Sequence, residues 1–398
     1  MASVAIIGAG PGGMSAALAL HRAGVRVSLS EGRSTTGAAG SGLSLSAPPM
    51  LVLRRLGVDV EGLGAPARLA FCRHDGRPRA AFPALPDIER DVGSAFFGML
   101  RPDLYERMAA ALPAGILRTG RRCVGLEQDG ERVRARFSDG GQVTADVLVG
   151  ADGIGSTVRR VLHGPGRIDY HGFVCWQGYC ELEGPNREVG RICHDRDTQA
   201  SWTPILHRGR PYWQWWVLEP WPKGVPFSGD ATRHLSRRLT AWTDPLPALV
   251  AATRPDRILR REVVDRPRLR TWSAGRVTLL GDAAHATSPY AAYGAGMAIE
   301  DGYHLAAQLT GRDLSDPVQV RAGLAAYERQ RAARTARTAA FARRLGRAFH
   351  SPNRPWQHLR DLLLDHTTIP ERLLVAGYTR TLREEVRLVT GPGRGDPP

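Results

Sequence analysis

An apolar, partly β-branched run from Val4 to Ile7 predicts a buried strand, and the break Gly8-Ala9-Gly10-Pro11-Gly12-Gly13 ends it. Small and apolar positions from Met14 to Ala23 then read as a helix closed by Gly24. Val25 to Ser30 alternates apolar and polar residues, a second strand with one covered face, and stops at Glu31. Gly32 to Pro49 is rich in Gly, Ser, Thr and Ala and reads as a loop, followed by a short helix from Met50 to Leu56. Arg101 to Met108 predicts another helix, with Pro102 in its first turn. A meander follows, with strands at Cys123 to Glu127, Val133 to Phe137 and Val143 to Val149 and turns at Asp129-Gly130 and Asp139-Gly140-Gly141.

Between Tyr170 and Arg270 helical periodicity weakens. Phe173 to Leu182 and Tyr212 to Leu218 read as strands, Glu183-Gly184 and His207-Arg208-Gly209 as hairpin turns, and Ala231 to Thr243 as a helix. Six of the nine tryptophans fall between Trp176 and Trp221, a texture that suits core packing and one wall of a pocket for a flat or greasy molecule. Val277 to Leu280 predicts a last short strand, ended by Gly281-Asp282, and Met297 to Leu309 a helix. A long helix from Val318 to Phe349 carries Arg329, Arg331, Arg334, Arg337, Arg343, Arg344 and Arg347 as a solvated basic face. Leu324, Tyr327, Phe341, Leu345 and Phe349 form its packed stripe. Arg354 to Leu388 reads as helical and Gly391 to Pro398 as a disordered tail.

Three glycine-and-acid breaks stand at predicted strand ends, where α/β folds place ligands. The first is GxGxxG in its required context, with strand, helix, second strand and the terminal acid Glu31 all present. Its glycines allow a tight turn, close approach to a pyrophosphate and close helix–strand packing. Glu31 stands where an acid accepts from a ribose hydroxyl, which favours FAD or NAD over NADP. The second break runs Gly150-Ala151-Asp152-Gly153 to Ser156 and Arg159, and the third is Gly281-Asp282. A carboxylate there accepts from hydroxyls, and a helix start offers free N–H groups to electron-rich oxygens.

The chain has 398 residues, 42% of them apolar and 23% charged, a globular composition long enough for two domains. No apolar run approaches the ~18 residues of a membrane span. The N-terminus reads as a strand and not as a signal peptide, so the expected location is cytoplasmic. Five cysteines without a CxxC pair predict buried free thiols and no metal site. The net charge of +15 is carried almost wholly by arginine, Lys223 being the only lysine. The arginines are spread along the chain without interleaved aromatics, which argues against nucleic acid and for an anionic cofactor. For the basic helix, the alternative to a solvated face is docking of an acidic carrier protein.

These stretches together resemble the single-component FAD-dependent aromatic hydroxylases, the p-hydroxybenzoate hydroxylase-like flavoprotein monooxygenases, over about residues 1 to 350. The resemblance rests on GAGPGG with Glu31, on Arg101 before a helix, on Ala151-Asp152-Gly153 with Ser156 and Arg159, and on Gly281-Asp282-Ala283-Ala284-His285 with Pro289 and Ala298-Ile299-Glu300-Asp301. It implies an α/β fold: a Rossmann-like FAD-binding domain, an interleaved, mostly antiparallel β-sheet substrate domain and a C-terminal helical segment. The implied division assigns 1–72, 101–169 and 271–315 to FAD binding, 73–100 and 170–270 to the substrate domain, 316–390 to C-terminal helices and 391–398 to a tail.

By the same resemblance, Gly8, Gly10, Gly12, Gly13, Glu31 and Gly32 hold the ADP half of FAD, Arg101 lies near the cofactor, and the Val124 backbone meets the adenine. Asp152 belongs to a motif linked to FAD and nicotinamide, and Asp282 binds the ribityl chain. Gly294, Ala295, Gly296 and Met297 present N–H groups to the flavin pyrimidine, and Pro289 lies close to the reacting face. The implied chemistry is reduction of FAD by NAD(P)H, formation of a flavin C4a-hydroperoxide with O2, and hydroxylation or epoxidation of an aromatic or polycyclic small molecule. Gln177 and Tyr212 are the favoured pocket-wall residues; His171, Tyr179, His194 and His207 are further candidates for a substrate-activating base. Neither nucleic acid nor membrane is an expected partner, and a monomer or homodimer is expected. Ala292, Tyr293 and Gly296 depart from the family pattern of Gly-Gln-Gly-small-Asn, which bears on flavin mobility and substrate type. The alternative function is a non-oxygenating isomerisation or cyclisation in secondary metabolism on the same FAD fold.

Overall fold

The computed structural model describes residues 2–36, 40–184 and 186–391; part of the small-residue loop and the tail beyond Gly391 lie outside the described residues. A parallel sheet runs in the order Val277–Leu279, Val147–Gly150, Ser3–Ile7, Arg26–Ser30, Leu117–Arg118. Its central strand Ser3–Ile7 is buried along its whole length, which is why the sequence there is a continuous apolar run. Helix Pro11–Arg22 crosses helix Gly294–Leu309 at close range: a Cβ on Gly302 would lie 2.5 Å from the Ala16 nitrogen. Ser15 Oγ donates to the Ile299 carbonyl across the same crossing, at 2.6 Å.

The run expected as one strand, Val143 to Val149, is two. Gln142–Ala145 closes a three-stranded antiparallel meander, and Val147–Gly150 enters the parallel sheet. Asp146 makes the corner, its carboxylate accepting from Ser3 N and Ser3 Oγ, so the chain is pinned where it changes sheet. Glu183-Gly184 likewise joins no hairpin. Both edges of Asp169–Cys180 are taken, by Arg210–Pro220 and Leu259–Asp265, so the next strand pairs elsewhere. Gln199–His207 and Arg210–Pro220 do form a hairpin, closed through Arg208 and Gly209 at positive φ.

The largest sheet has ten strands. Its main path runs Leu259–Asp265, Asp169–Cys180, Arg210–Pro220, Gln199–His207, Val189–His194, Arg68–Arg73, Pro78–Ala81. Gly42–Ser46 and Ala65–Pro66 join it through Phe96–Leu100, so parts of the first 72 residues belong to this sheet. One face packs Trp176, Trp202, Trp213 and Trp215 against Ala231–Arg238 and Leu246–Ala252; the other faces the parallel-sheet body. Pro317–Phe349 and the C-terminal helices Arg354–His366 and Gly377–Thr390 complete the molecule. The nearly buried Arg79 ties the first of the C-terminal helices to the sheet through Asp361 and Asp365.

The expectation of free thiols throughout is corrected: Cys72 and Cys193 form a disulfide. They stand directly opposite each other where Arg68–Arg73 pairs with Val189–His194, with Cα atoms 4.6 Å apart, and a sequence separation of 121 hides the pairing from any local spacing rule. Cys123, Cys175 and Cys180 are free and buried, and burial pushes the Cys123 thiol up to about 11, which leaves it unreactive.

Candidate active site

The glycine-rich break, the Gly281-Asp282 turn and the start of helix Gly294–Leu309 converge on one cavity of about 380 Å³. Gly10, Gly12 and Gly13 line one end, where helix Pro11–Arg22 begins without a side-chain cap or an acid in its first turn. The glycines differ in what confines them. A Cβ on Gly13 would sit 1.9 Å from the Gly8 carbonyl oxygen, and one on Gly12 would sit 2.6 Å from Leu280 Cδ1. One on Gly10 would meet only the Tyr105 hydroxyl, at 3.9 Å. Gly10 is therefore where backbone faces the cavity, while Gly13 holds strand and helix together. Glu31 ends the neighbouring strand and accepts from Ala9 N and Arg33 N, both at 2.9 Å.

Asp282 is open to the cavity yet enclosed by the protein body, and it accepts no hydrogen bond there. Burial pushes its carboxyl pKa up, against the pull of His285 and Arg101. Its position is held by the acid of the following helix. Asp301 Oδ2 accepts from Gly281 N and from His285 Nε2, and Asp301 Oδ1 accepts from Arg331 Nε at 2.7 Å. Burial opposes the charge on Asp301, but His285 and Arg331 hold its pKa down to about 2. Arg331, fully buried, also binds Glu300, Glu385 and the Met297 carbonyl. Glu300 in turn accepts from the Tyr293 hydroxyl at 2.5 Å. Tyr293 precedes the helix start, so the residue that departs from the family pattern is built into this network.

The second break is joined to the third. Arg159, nearly buried, donates from Nη1 to the carbonyls of Ala283 and Ala284 at 3.1 and 3.2 Å, clamping the segment after Asp282. Asp152 itself caps its own helix, accepting from Ser156 Oγ, Thr157 N and Val158 N, while Ala151 and Gly153 line the cavity. Gly32 and the half-exposed Val124 lie outside the cavity lining, beside Glu31 and at the start of strand Cys123–Gln128. Gly294 and Ala295 line the cavity and Gly296 lies buried against Pro49. Met297 spends its N–H on the Tyr293 carbonyl, so the free donors are the three residues before it.

A second, apolar cavity of about 90 Å³ adjoins the first, and Ser44, Trp216, Pro289 and Ala292 line both. Pro289 thus stands on the rim between them, with Ala292 in a left-handed conformation at φ 48°. Gln177 lines the larger cavity with Gln214, Trp216 and Leu218. Tyr212 shares the face of those last three but lies at the start of its strand, beyond the cavity, packed on Leu100 and Ile205. Its ring meets His207 and Tyr179, and His207 Nδ1 bonds Asp103 at 2.9 Å, so these three candidates form a separate cluster. His171 is paired with Asp265. His194 is buried against Phe349 and bonded to Gln199. Gln199, Ser201 and Thr203, which sequence reasoning passed over, line the smaller cavity.

The donor set fits FAD. An uncapped helix start would face the pyrophosphate, Asp282 and Arg101 the middle of the molecule, and a second uncapped helix start the electron-rich edge of the ring. A sequence profile described as the FAD binding domain matches residues 1–342. The aurachin C monooxygenase/isomerase of Stigmatella aurantiaca is 30% identical over 353 residues, 86% of this chain and 88% of that protein. The FAD-dependent urate hydroxylase of Mycolicibacterium vanbaalenii is 33% identical over 344 residues, 84% of this chain and 85% of that protein. Among solved structures, Klebsiella pneumoniae HpxO complexed with FAD and uric acid superimposes with a TM-score of 0.85 at 27% identity, covering 96% of this chain and 97% of that one. The chain belongs to the FAD-dependent aromatic hydroxylase family, and it is a flavin-dependent monooxygenase with FAD as cofactor and NAD(P)H as reductant. No described helix is long and apolar enough to cross a membrane.

Asp282→Ala is expected to weaken FAD binding about 10- to 100-fold, the worth of one or two charged hydrogen bonds. FAD content after dialysis measures it, and full retention contradicts a ribityl-binding role.

Proposed function

We propose that this chain transfers one oxygen atom of O2 to an aromatic small molecule across the rim formed by Pro289 and Ala292, the other oxygen leaving as water with two electrons from NAD(P)H. The observation that carries this reading is the meeting of a cavity lined by two uncapped helix starts, Arg101 and Asp282 with an apolar one at four shared residues. Bound FAD supplies the activation of O2. The chain supplies position, polarity and exclusion of water. The N–H groups of Gly294, Ala295 and Gly296 would stabilise negative charge on the reduced ring, since no side chain caps that helix start. Arg101 and Asp282 would hold the cofactor's chain between the two helix starts, with Asp152 acting through the helix it caps. Pro289 would present a rigid, donor-free edge to the reacting atoms, and Gln177 and Trp216 would bound the substrate's ring from the sheet side.

Relatives named for urate and for 3-amino-4-hydroxybenzoate support an aromatic substrate. The Stigmatella relative's name joins monooxygenase to isomerase and supports keeping an isomerisation as the second reading. Turnover under isotopically heavy O2 separates the two. Incorporation of one heavy oxygen into the product is expected, whereas a product of unchanged mass formed without O2 consumption would leave only the isomerase reading.

A further inference from the structure

Resting on the monooxygenase reading, we propose that the substrate is an uncharged, flat aromatic compound bearing a hydroxyl, amide or ring N–H group, bound without any ion pair. The cavity beyond Pro289 is walled by Phe71, Phe82, Phe96, Leu345, Phe349 and Tyr378, and among the described residues no Asp, Glu, Lys, Arg or His lines it. At about 90 Å³ it is smaller than the roughly 150 Å³ cavity that takes up benzene, so a bound ring would extend over the rim towards the cofactor. Its polar groups are neutral, and three of them come from one strand. Strand Gln199–His207 turns Gln199, Ser201 and Thr203 to the cavity, because alternate residues share a face, and Ala200 and Trp202 to the tryptophan core.

Three of the lining groups have no hydrogen-bond partner in the fold: Ser46 Oγ, Gln199 Oε1 and the Tyr290 hydroxyl are all buried without one. Gln199 is fixed by its other amide atom, which meets His194 Nε2 at 2.6 Å. Exchange of the histidine tautomer and the amide orientation lets it offer either a donor or an acceptor. Tyr290 is held over Gly346 of the long helix, where a Cβ would come within 2.7 Å of its ring. Buried polar atoms left unmatched are unfavourable, so a ligand that completes them gains both affinity and orientation. A carboxylate is the wrong complement, because an ion buried here would lose its hydration with no cation among the described lining residues. Of the two guanidinium groups whose charges act on His194, Arg79 pairs with Asp361 and Asp365 and keeps only Nη1 without a hydrogen bond, and Arg360 binds Asp361 and the carbonyls of Asp195, Arg196 and Phe349.

Matched amide and carboxylate pairs test this on the FAD-loaded full chain. The probes are 4-hydroxybenzamide against 4-hydroxybenzoate and 3-amino-4-hydroxybenzamide against 3-amino-4-hydroxybenzoate. Dissociation constants come from perturbation of the flavin spectrum, with substrate-stimulated NAD(P)H oxidation alongside. The neutral member of each pair is expected to bind about tenfold tighter or more. Ser201→Arg, which places a cation in the cavity, is expected to reverse that preference, with FAD content reporting that the variant is folded. Equal or tighter binding of the carboxylates by the unaltered chain, or binding of neither amide, overturns the inference. Failure of NAD(P)H to reduce the bound flavin would instead overturn the monooxygenase reading on which it rests.

Discussion

Arg331→Met is expected to destabilise the protein by about 3–5 kcal/mol, the range seen when one member of a buried ion network is removed. Arg331 lies at zero exposure and bridges Asp301, Glu300 and Glu385, and Arg334 reaches only the last of these. Its loss leaves Glu300 with the Tyr293 hydroxyl and Asp301 with His285 and Gly281 N. The damage therefore reaches the site. Asp301 positions the Gly281-Asp282 turn, and Glu300 anchors the residue preceding the flavin-facing helix start, so FAD affinity should fall together with stability. Denaturant unfolding, with and without FAD, measures both. Arg337→Met, on the exposed side of the same helix, is expected to stay within about 0.5 kcal/mol of the unaltered protein. Equal effects from the two substitutions would contradict the role given to the buried network.

Gly13→Ala and Gly10→Ala are expected to part company. The Gly13 methyl would need the Gly8 carbonyl to move from 1.9 Å, a backbone clash at the joint of strand and helix. Overpacking of this kind destabilises by about 1–3 kcal/mol, and FAD binding should be lost with the turn's shape. Gly10 has an ordinary φ of −71° and open space before it, so alanine should leave unfolding unchanged while its methyl obstructs the pyrophosphate. Thermal unfolding of the apoproteins and FAD titration separate the two outcomes. A Gly10→Ala protein that binds FAD as before would remove the pyrophosphate from that end of the cavity.

The nucleotide-binding half was legible because its signals are local. A strand, a glycine break, a helix and an acid follow one another within one stretch, and each of the three breaks announces a backbone conformation that few sequences need. The links between those breaks were not legible. Arg159 reaching Ala283 and Ala284, and Arg331 reaching Asp301, join residues far apart in sequence. Three of the seven arginines read as a solvated face turn inward: Arg331, Arg334 and Arg343, the last onto Asp265. A signal existed for the first of them. Arg331 follows Tyr327 by four positions and so falls on the packed stripe of its helix. In the substrate domain the ionisable candidates Tyr179, His207 and Tyr212 cluster outside both cavities. The pattern Gln199-Ala200-Ser201-Trp202-Thr203 already separates a polar face from a tryptophan face, and it was the polar face that the cavity used. The Cys72–Cys193 pairing depended on which strands become neighbours, which no spacing within the chain discloses.

The most direct test of a reducible flavin between Asp282 and the Gly294 helix start is anaerobic addition of NADH or NADPH to the purified protein after incubation with FAD. Yellow protein whose visible flavin band bleaches with one of the nicotinamides, and returns on admission of air, is the expected result. Protein that stays colourless after exposure to FAD, or stays yellow with both nicotinamides, would contradict it.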